Sequence, residues 1–316
     1  MPKKEQTHDV IIIGGGIAAH TAALYTARAN LAPLVISSIE PDQLSMTTTV
    51  ENYPGFPQGV QGPDLVNNCK KQAERFGATY IQGIADSFTK QKNIFVVGVG
   101  KASYSARTVI ISTGASARRL SIPGENTYFG RGVSTCAVCD AALYRDATVV
   151  VIGGGDSAME ESLALYKFAK KVAIIHRRNA FRASKIMQDR IFKLKDKITV
   201  LWDSEPVEVL GNGKMVTGIK IKNVNTQKIT ELKCDGVFLA IGHVPNTAVF
   251  KNVVPLDAQG YVITDRFTKT TTPGIFAAGD CQDPVFRQAV TSAGTGCMAA
   301  IQAEKYLEHL KASNTY

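Results

Sequence analysis

Residues 147–178 read ATVVVIGGGDSAMEESLALYKFAKKVAIIHRR. An apolar run, a glycine turn, a helix-forming stretch and a second apolar run succeed one another, which is the pattern of one βαβ unit with buried parallel strands. Gly153, Gly155 and Ala158 occupy the three positions of a dinucleotide fingerprint, with Asp156 and Ser157 between them. The first glycine makes the tight turn, the second lets a pyrophosphate approach the backbone, and the small third residue lets the helix pack on its strand. An NAD site carries an acid at the end of the second strand, whereas this chain has His176, Arg177 and Arg178 there and Arg182 close behind. Guanidinium groups pair with a ribose 2′-phosphate that a carboxylate would repel. The expected dinucleotide is NADPH.

A second copy stands at the start of the chain. HDVIII at 8–13 leads into GGGIAA at 14–19 and the alanine-rich stretch IAAHTAALYTARA. Gly14, Gly16 and Ala19 take the fingerprint positions, and the helix start offers N–H groups to phosphate. The next strand, PLVIS at 33–37, is followed by Glu40, 26 residues after Gly14. The usual spacing to a ribose-binding acid is about 20. Glu40 therefore reads equally as a ribose partner or as a solvated loop carboxylate.

Between the two copies lies CAVCD at 136–140. Two intervening residues bring Cys136 and Cys139 within disulfide reach on one helical turn. If a helix begins at Cys136, its amides favour a thiolate there. Half of a zinc site is the alternative, and it lacks a second pair at ligand spacing, so no metal is expected. Asp140 is placed either to move a proton as the dithiol forms and breaks or simply to cap a helix start. Two nucleotide folds around a cysteine pair describe a dithiol redox enzyme, with a flavin in one fold and a reduced nicotinamide in the other.

The 316 residues, 45% hydrophobic, suffice for two domains. No apolar run approaches the roughly 18 residues of a membrane helix. The N-terminus MPKKEQTHDV passes from polar residues into a strand without a secretory h-region, so a reducing, cytoplasmic location is expected. Six cysteines are too few to staple a fold of this length. The charge of +9 comes from scattered Lys and Arg without interleaved stacking aromatics; it reads as a basic surface for anionic nucleotides and acidic proteins, not as a nucleic-acid site.

Over nearly its whole length the chain resembles the low-molecular-weight thioredoxin reductases. The resemblance is carried by the first fingerprint, QLSMTTTVENYPGFP at 43–57, ISTGA at 111–115, CAVCD, GGGDSAMEE, HRRNAFRASKIM at 176–187, AIGHVPNT at 240–247 and GIFAAGDCQDPVFRQAVTSAGTGCMAA at 274–300. It implies an α/β protein of two Rossmann-like three-layer domains. An NADPH domain, 117–246, is inserted in an FAD domain formed by 1–116 and 247–316. It further implies a homodimer, a thioredoxin as protein substrate, and rotation of one domain against the other during turnover. Position by position, Cys139 would face the flavin, Cys136 would attack the protein substrate, and Asp140 would be acid and base. Gln43, Leu44, Asn52, Asp280, Arg287, Gln288 and Ala289 match FAD contacts; Ser157, Arg177, Arg178 and Arg182 match NADPH contacts, and Asp156 and His176 are counted with that site.

Two departures stand out. Pro41-Asp42 replaces the family's Gly-Gly before Gln-Leu, which fixes a φ and adds a negative charge where phosphates are expected. Ala141 replaces a glycine after Asp140, a change that a helix tolerates. The competing readings are a dithiol oxidase, against which the NADPH fingerprint counts, and a redox-sensing or nucleic-acid-binding flavoprotein.

Overall fold

The computed structural model describes residues 7–38, 42–47 and 49–313. The chain forms two compact units, Met1–Ser116 with Val244–Tyr316, and Ala117–His243. Both are mixed α/β. The second unit ends three residues before the boundary expected at 246, and hydrogen bonds explain why. The Asn246 amide donates to the Gly114 carbonyl at 3.0 Å, its side chain donates to the Thr113 carbonyl at 3.1 Å, and the Thr113 hydroxyl donates back to the Asn246 carbonyl at 2.7 Å. Asn246 is thereby tied to the first unit.

In the first unit the sheet runs Thr79–Gln82, Leu34–Ser37, Thr7–Ile13, Ala102–Ile111, Ile94–Val99, Ser87–Gln91, and Ile275–Ala277 also pairs with Ala102–Ile111. The pairings from Thr79–Gln82 to Ala102–Ile111, and that of Ile275–Ala277, are parallel; the remaining two are antiparallel. The unbroken apolar run of the first strand is explained by burial on both faces. Val10 and Ile12 point into a cluster with Ala19, Ala22 and Ala23 of helix Ile17–Arg28 and Ala299, Ala303 and Leu307 of helix Ala289–Ser313. Ile11 and Ile13 point the other way, among Phe88, Phe95, Val97 and Phe250.

The second unit repeats the scheme. Its parallel sheet runs Val133–Ser134, Gly236–Leu239, Thr148–Ile152, Lys171–Ile175, Ile198–Leu201. Val149, Val151, Ile174 and Phe238 face Ala158, Met159 and Leu165 of helix Asp156–Tyr166. Val150, Ile152, Ile175 and Val237 face Val209, Ile219 and Ile221 of an antiparallel sheet formed by Ser204–Gly211, Val216–Asn223 and Ile229–Lys233. The result is three layers: helix, parallel sheet, antiparallel sheet. Among the described residues no helix is long and apolar enough to cross a membrane.

Small residues set the helix contact in the first unit. A Cβ added at Gly296 would stand 2.3 Å from the Ala18 carbonyl oxygen, an overlap that only backbone movement relieves. Helix propensity alone would make Gly296→Ala stabilising by about 1 kcal/mol. The expected outcome is the opposite sign, a melting temperature lowered by overpacking that costs about 1–3 kcal/mol, read by differential scanning fluorimetry.

Candidate functional site

In both units the fingerprint loop lies at the carboxyl edge of the parallel sheet, where ligands of open α/β sheets bind. Register fixes this in the first unit: Ile13 pairs with Ile111, and Ile111 with Ala277. Gly14, Ser112 and Ala278 consequently stand abreast. The Gly14 amide donates to the Ile36 carbonyl at 2.8 Å. With φ +144° and a would-be Cβ 2.1 Å from the Ser112 oxygen, Gly14 accepts no side chain. Gly16 differs. Its φ of −91° suits any residue, and its Cβ would meet only the Asp42 Cβ at 3.9 Å. Among the described residues helix Ile17–Arg28 starts there with no side-chain cap, and with no acid in its first turn, the arrangement that suits an anion at a helix start. Behind the loop His20 is buried, its Nδ1 3.1 Å from the Tyr80 hydroxyl. Burial, with the Lys70 ammonium acting in the same direction, lowers its pKa to about 4.

Asp280 follows two residues after Ala278 on the same edge and accepts the Ser292 hydroxyl at 2.9 Å; burial pushes its carboxyl up, and the serine opposes that shift. Asn52 donates to the Gln288 side chain at 3.3 Å, and Ala289 opens helix Ala289–Ser313. The Asp283 carboxylate receives the amides of Val285, Phe286 and Arg287, holding Arg287 at φ +49°. The Gln43 amide donates to the Ala115 carbonyl. Leu44 packs beside Ile17, Val50 and Leu65. Glu40 and Pro41 lie outside the described residues. The charge expected from Asp42 is turned onto its own loop, where it accepts the Leu44 and Ser45 amides at 2.9 and 3.1 Å.

In the second unit Ile152 pairs with Ile175 and with Leu239, which places the Gly153 turn beside both His176 and Ala240. A Cβ at Gly153 would be 2.4 Å from the Ala240 oxygen, whereas one at Gly155, φ −99°, would meet nothing within 4 Å. Gly155 is required neither by backbone nor by packing. The space before it is open to at least 4 Å, and among the described residues helix Asp156–Tyr166 begins there without a side-chain cap, the arrangement that suits an anion at a helix start. The Arg182 and Ala183 amides donate to the Gly154 carbonyl at 2.7 and 3.2 Å, fastening the arginine loop to the glycine turn. Arg177, Arg178 and Arg182 are exposed, and none enters an ion pair among the described residues. Ser157, half-buried, stands in the first turn of the helix.

Two residues do not act as the sequence suggested. His176 offers no exposed cation: its ring is buried beside Gly154, Phe181 and Trp202, with Nε2 3.0 Å from the Ala180 carbonyl. Burial lowers its pKa, the Ala180 carbonyl opposes this, and the arginines around it lower it further, which disfavours the charged ring. Asp156 turns away to accept the Ser184 amide and hydroxyl at 2.8 and 2.7 Å, which positions the arginine loop.

Cys136 and Cys139 form a disulfide with Cα atoms 5.3 Å apart. Ser134 pairs with Phe238 and Phe238 with Val151, so the strand before the disulfide ends at the carboxyl edge that also carries the Gly153 turn. Cys136 caps the four-residue helix Ala137–Asp140 and its Sγ accepts the Cys139 amide at 3.3 Å. Burial raises the Asp140 carboxyl pKa, and a hydrogen bond from Ser134 opposes the rise. Two partners were missed in the sequence: Ser134, which accepts the Cys136 amide at 3.1 Å, and Glu161, which accepts the Ala137 amide at 2.7 Å. Glu161 had a signal. It falls at helical spacing from buried Ala158 and Leu165, so a carboxylate stands on the inward stripe.

The model of the pyridine nucleotide-disulphide oxidoreductase family matches residues 8–296. A thioredoxin reductase of Rickettsia conorii is 49% identical over 306 residues, covering 95% of this chain and 98% of its own. The thioredoxin reductase structure from Streptococcus pyogenes superposes with a TM-score of 0.92 at 43% identity, covering 96% of this chain and 99% of its own; that from Giardia duodenalis gives 0.90 at 40%, covering 96% and 100%. The chain belongs to the thioredoxin reductases of the pyridine nucleotide-disulphide oxidoreductase family. It is an oxidoreductase, and the cofactors of that family are FAD and NADPH. Among the described residues no group of three or more His, Cys, Asp or Glu is placed to hold a metal.

Because the Gly155 Cβ position is open, Gly155→Ala should cost stability at most about 1 kcal/mol, the difference between glycine and alanine as a helix cap. The Michaelis constant for NADPH should nonetheless rise at least about tenfold, as a methyl group enters the space for the diphosphate, equivalent to about 1.4 kcal/mol of lost binding. Thermal melts and steady-state kinetics on the same preparation separate the two effects.

Proposed function

We propose that the chain reduces the disulfide of a thioredoxin with electrons from NADPH, passed through FAD and the Cys136–Cys139 pair. Overall, NADPH, a proton and the partner disulfide give NADP⁺ and two partner thiols. The observation that carries the reading is the disulfide on the same sheet edge as a glycine turn ringed by three exposed arginines. Ala117–His243 is the NADPH unit: Gly153, Gly155, Ser157 and Ala158 admit the diphosphate, and Arg177, Arg178 and Arg182 pair with the 2′-phosphate. Met1–Ser116 with Val244–Tyr316 is the FAD unit, held through Gly14, Gly16, Ala19, Asn52, Asp280 and the Arg287–Ala289 segment. FAD, when bound, supplies the step between a hydride donor and a dithiol.

Cys136 attacks the partner disulfide, Cys139 resolves the mixed disulfide and takes electrons from the flavin side, and Asp140 holds the proton that its burial helps retain. Val138, between the two cysteines, and Leu143, just beyond them, are 65% and 53% exposed and offer apolar surface to a protein partner. The four other cysteines are unpaired, which supports a reducing, cytoplasmic location.

Oxidised thioredoxin should accelerate NADPH oxidation. In Cys136→Ser and Cys139→Ser that rate should fall to background, while NADPH still bleaches the flavin absorbance; loss of bleaching in both variants would refute the electron path. Charge-assisted contacts contribute roughly 1.5–3 kcal/mol each. Arg177→Ala with Arg178→Ala should therefore cut the preference for NADPH over NADH by about a hundredfold or more, with NADH kinetics nearly unchanged.

A homodimer is supported by one exposed face of helix Ala289–Ser313, where Val290, Met298 and Ile301 recur at helical spacing beside Tyr25 of helix Ile17–Arg28. Tyr25→Asp with Ile301→Asp should convert a dimer to a monomer by size-exclusion chromatography with light scattering. A wild-type monomer at micromolar concentration would remove the dimer from the reading.

A further inference from the structure

Thiolate formation at Cys136 depends on which groups its short helix presents, and one of them is an acid. The Cys136 amide is taken by the Ser134 hydroxyl, and among the described residues the Cys139 amide is the one directed at the Cys136 sulfur. The Ala137 amide, the first inside the helix, points at the Glu161 carboxylate 2.7 Å away. A free amide here would favour a thiolate; one consumed by a carboxylate does not, and the carboxylate itself repels the developing charge.

The other groups around the pair do not replace it. Asp140 closes the far end of the helix and is bonded by Ser134. Of the remaining acids on helix Asp156–Tyr166, Glu160 is exposed and Asp156 is engaged with Ser184. The turn Ala141–Tyr144 brings only the Tyr144 phenol, which burial pushes up to about 12.

We infer that Glu161 is a positioning residue for the thiol chemistry: it holds the Ala137 amide, next in the chain to Cys136, so that the reduced Cys136 thiol is harder to deprotonate than it would be at the bare helix start. The inference rests on the dithiol reading of the Cys136–Cys139 pair. Glu161 lies five residues beyond the start of the helix whose first turn faces the diphosphate space, so one element carries both features.

The test uses whole protein reduced with dithiothreitol, and therefore needs neither NADPH nor a partner. Alkylation of Cys136 by iodoacetamide is followed by mass spectrometry as a function of pH. In Glu161→Gln, whose amide oxygen can still accept the Ala137 amide, the midpoint for Cys136 should fall by about one unit. Below the midpoint the rate should rise about threefold, because the tenfold gain in thiolate is partly offset by its weaker nucleophilicity. Glu161→Ala, which also frees the amide, should shift the midpoint at least as far. Glu160→Gln, one residue away and exposed, should leave it in place. An unchanged midpoint in both Glu161 variants, or an equal shift in Glu160→Gln, overturns the inference. Turnover of the wild type with NADPH and thioredoxin is measured separately, so failure of the parent reading shows up there and not in the alkylation profile.

Discussion

A carbonyl oxygen 2.1 Å from where a Cβ would stand at Gly14, and another 2.4 Å from the same point at Gly153, are the contacts on which both units depend. Each arises because the strand beside the turn ends at the same level as the strand before it: Ser112 next to Gly14, Ala240 next to Gly153. The glycine lets the chain turn tightly against its neighbour, so that the following helix starts at the sheet's carboxyl edge with its first amides facing outwards. Any other residue would push the helix off the edge. Residues far apart in sequence, such as Asp280 and the Arg177–Arg178 pair, gain their positions only because they end strands or turns on those same edges.

The disulfide shows the opposite use of a helix start. At Gly16 and Gly155 the amides are left open, whereas at Cys136 they are almost all committed, to Ser134, to Glu161 and to the cysteine's own sulfur. On the proposed function, the physical difference lies in what each site would hold. A diphosphate is permanently anionic and benefits from unsatisfied donors. A redox sulfur passes between disulfide, thiol and thiolate, and donors fixed on it would favour one of those states.

The strands flanking each glycine turn, and the turns themselves, were legible in the sequence because they rest on local facts: apolar runs, glycines at set spacing, and small residues at the third position; the antiparallel strands, which lack such a signal, were not read. The cysteine pair was legible for the same reason. His176 was misread because charge patterning takes a histidine between a strand and two arginines for a surface cation, while the pocket made by Gly154, Phe181 and Trp202 cannot be seen in one dimension. Asp42 does lie beside the first fingerprint, its Cβ 3.9 Å from where a Gly16 Cβ would stand, while its carboxylate accepts the Leu44 and Ser45 amides, a local arrangement the sequence does not record. The Asn246 boundary depends on a hydrogen-bonded return to Thr113 across 133 positions of chain, which no turn signal records. Ser134 and Glu161 are small local decisions about who accepts an amide, and only the second leaves a trace in helical spacing.

The buried His176 bears on how three arginines can share one loop. Arg177, Arg178 and Arg182 each lower its pKa, which is to say that a fourth cation there would raise the energy of the other three. The ring instead fills the space beside Gly154, with Nε2 at the Ala180 carbonyl, while the Arg182 and Ala183 amides hold the Gly154 carbonyl from the other side. The loop is thus fastened to the glycine turn by backbone and ring contacts and, through Ser184, by the Asp156 carboxylate. The guanidiniums are left exposed with no carboxylate in hydrogen-bond reach among the described residues, since Asp156, the nearest acid in sequence to the turn, is occupied by Ser184. We read a preference for a 2′-phosphate as resting on how this loop is packed: burial of His176 beside Gly154 disfavours a fourth charge, and Asp156 is spent on Ser184, so neither competes with the guanidiniums for an anion.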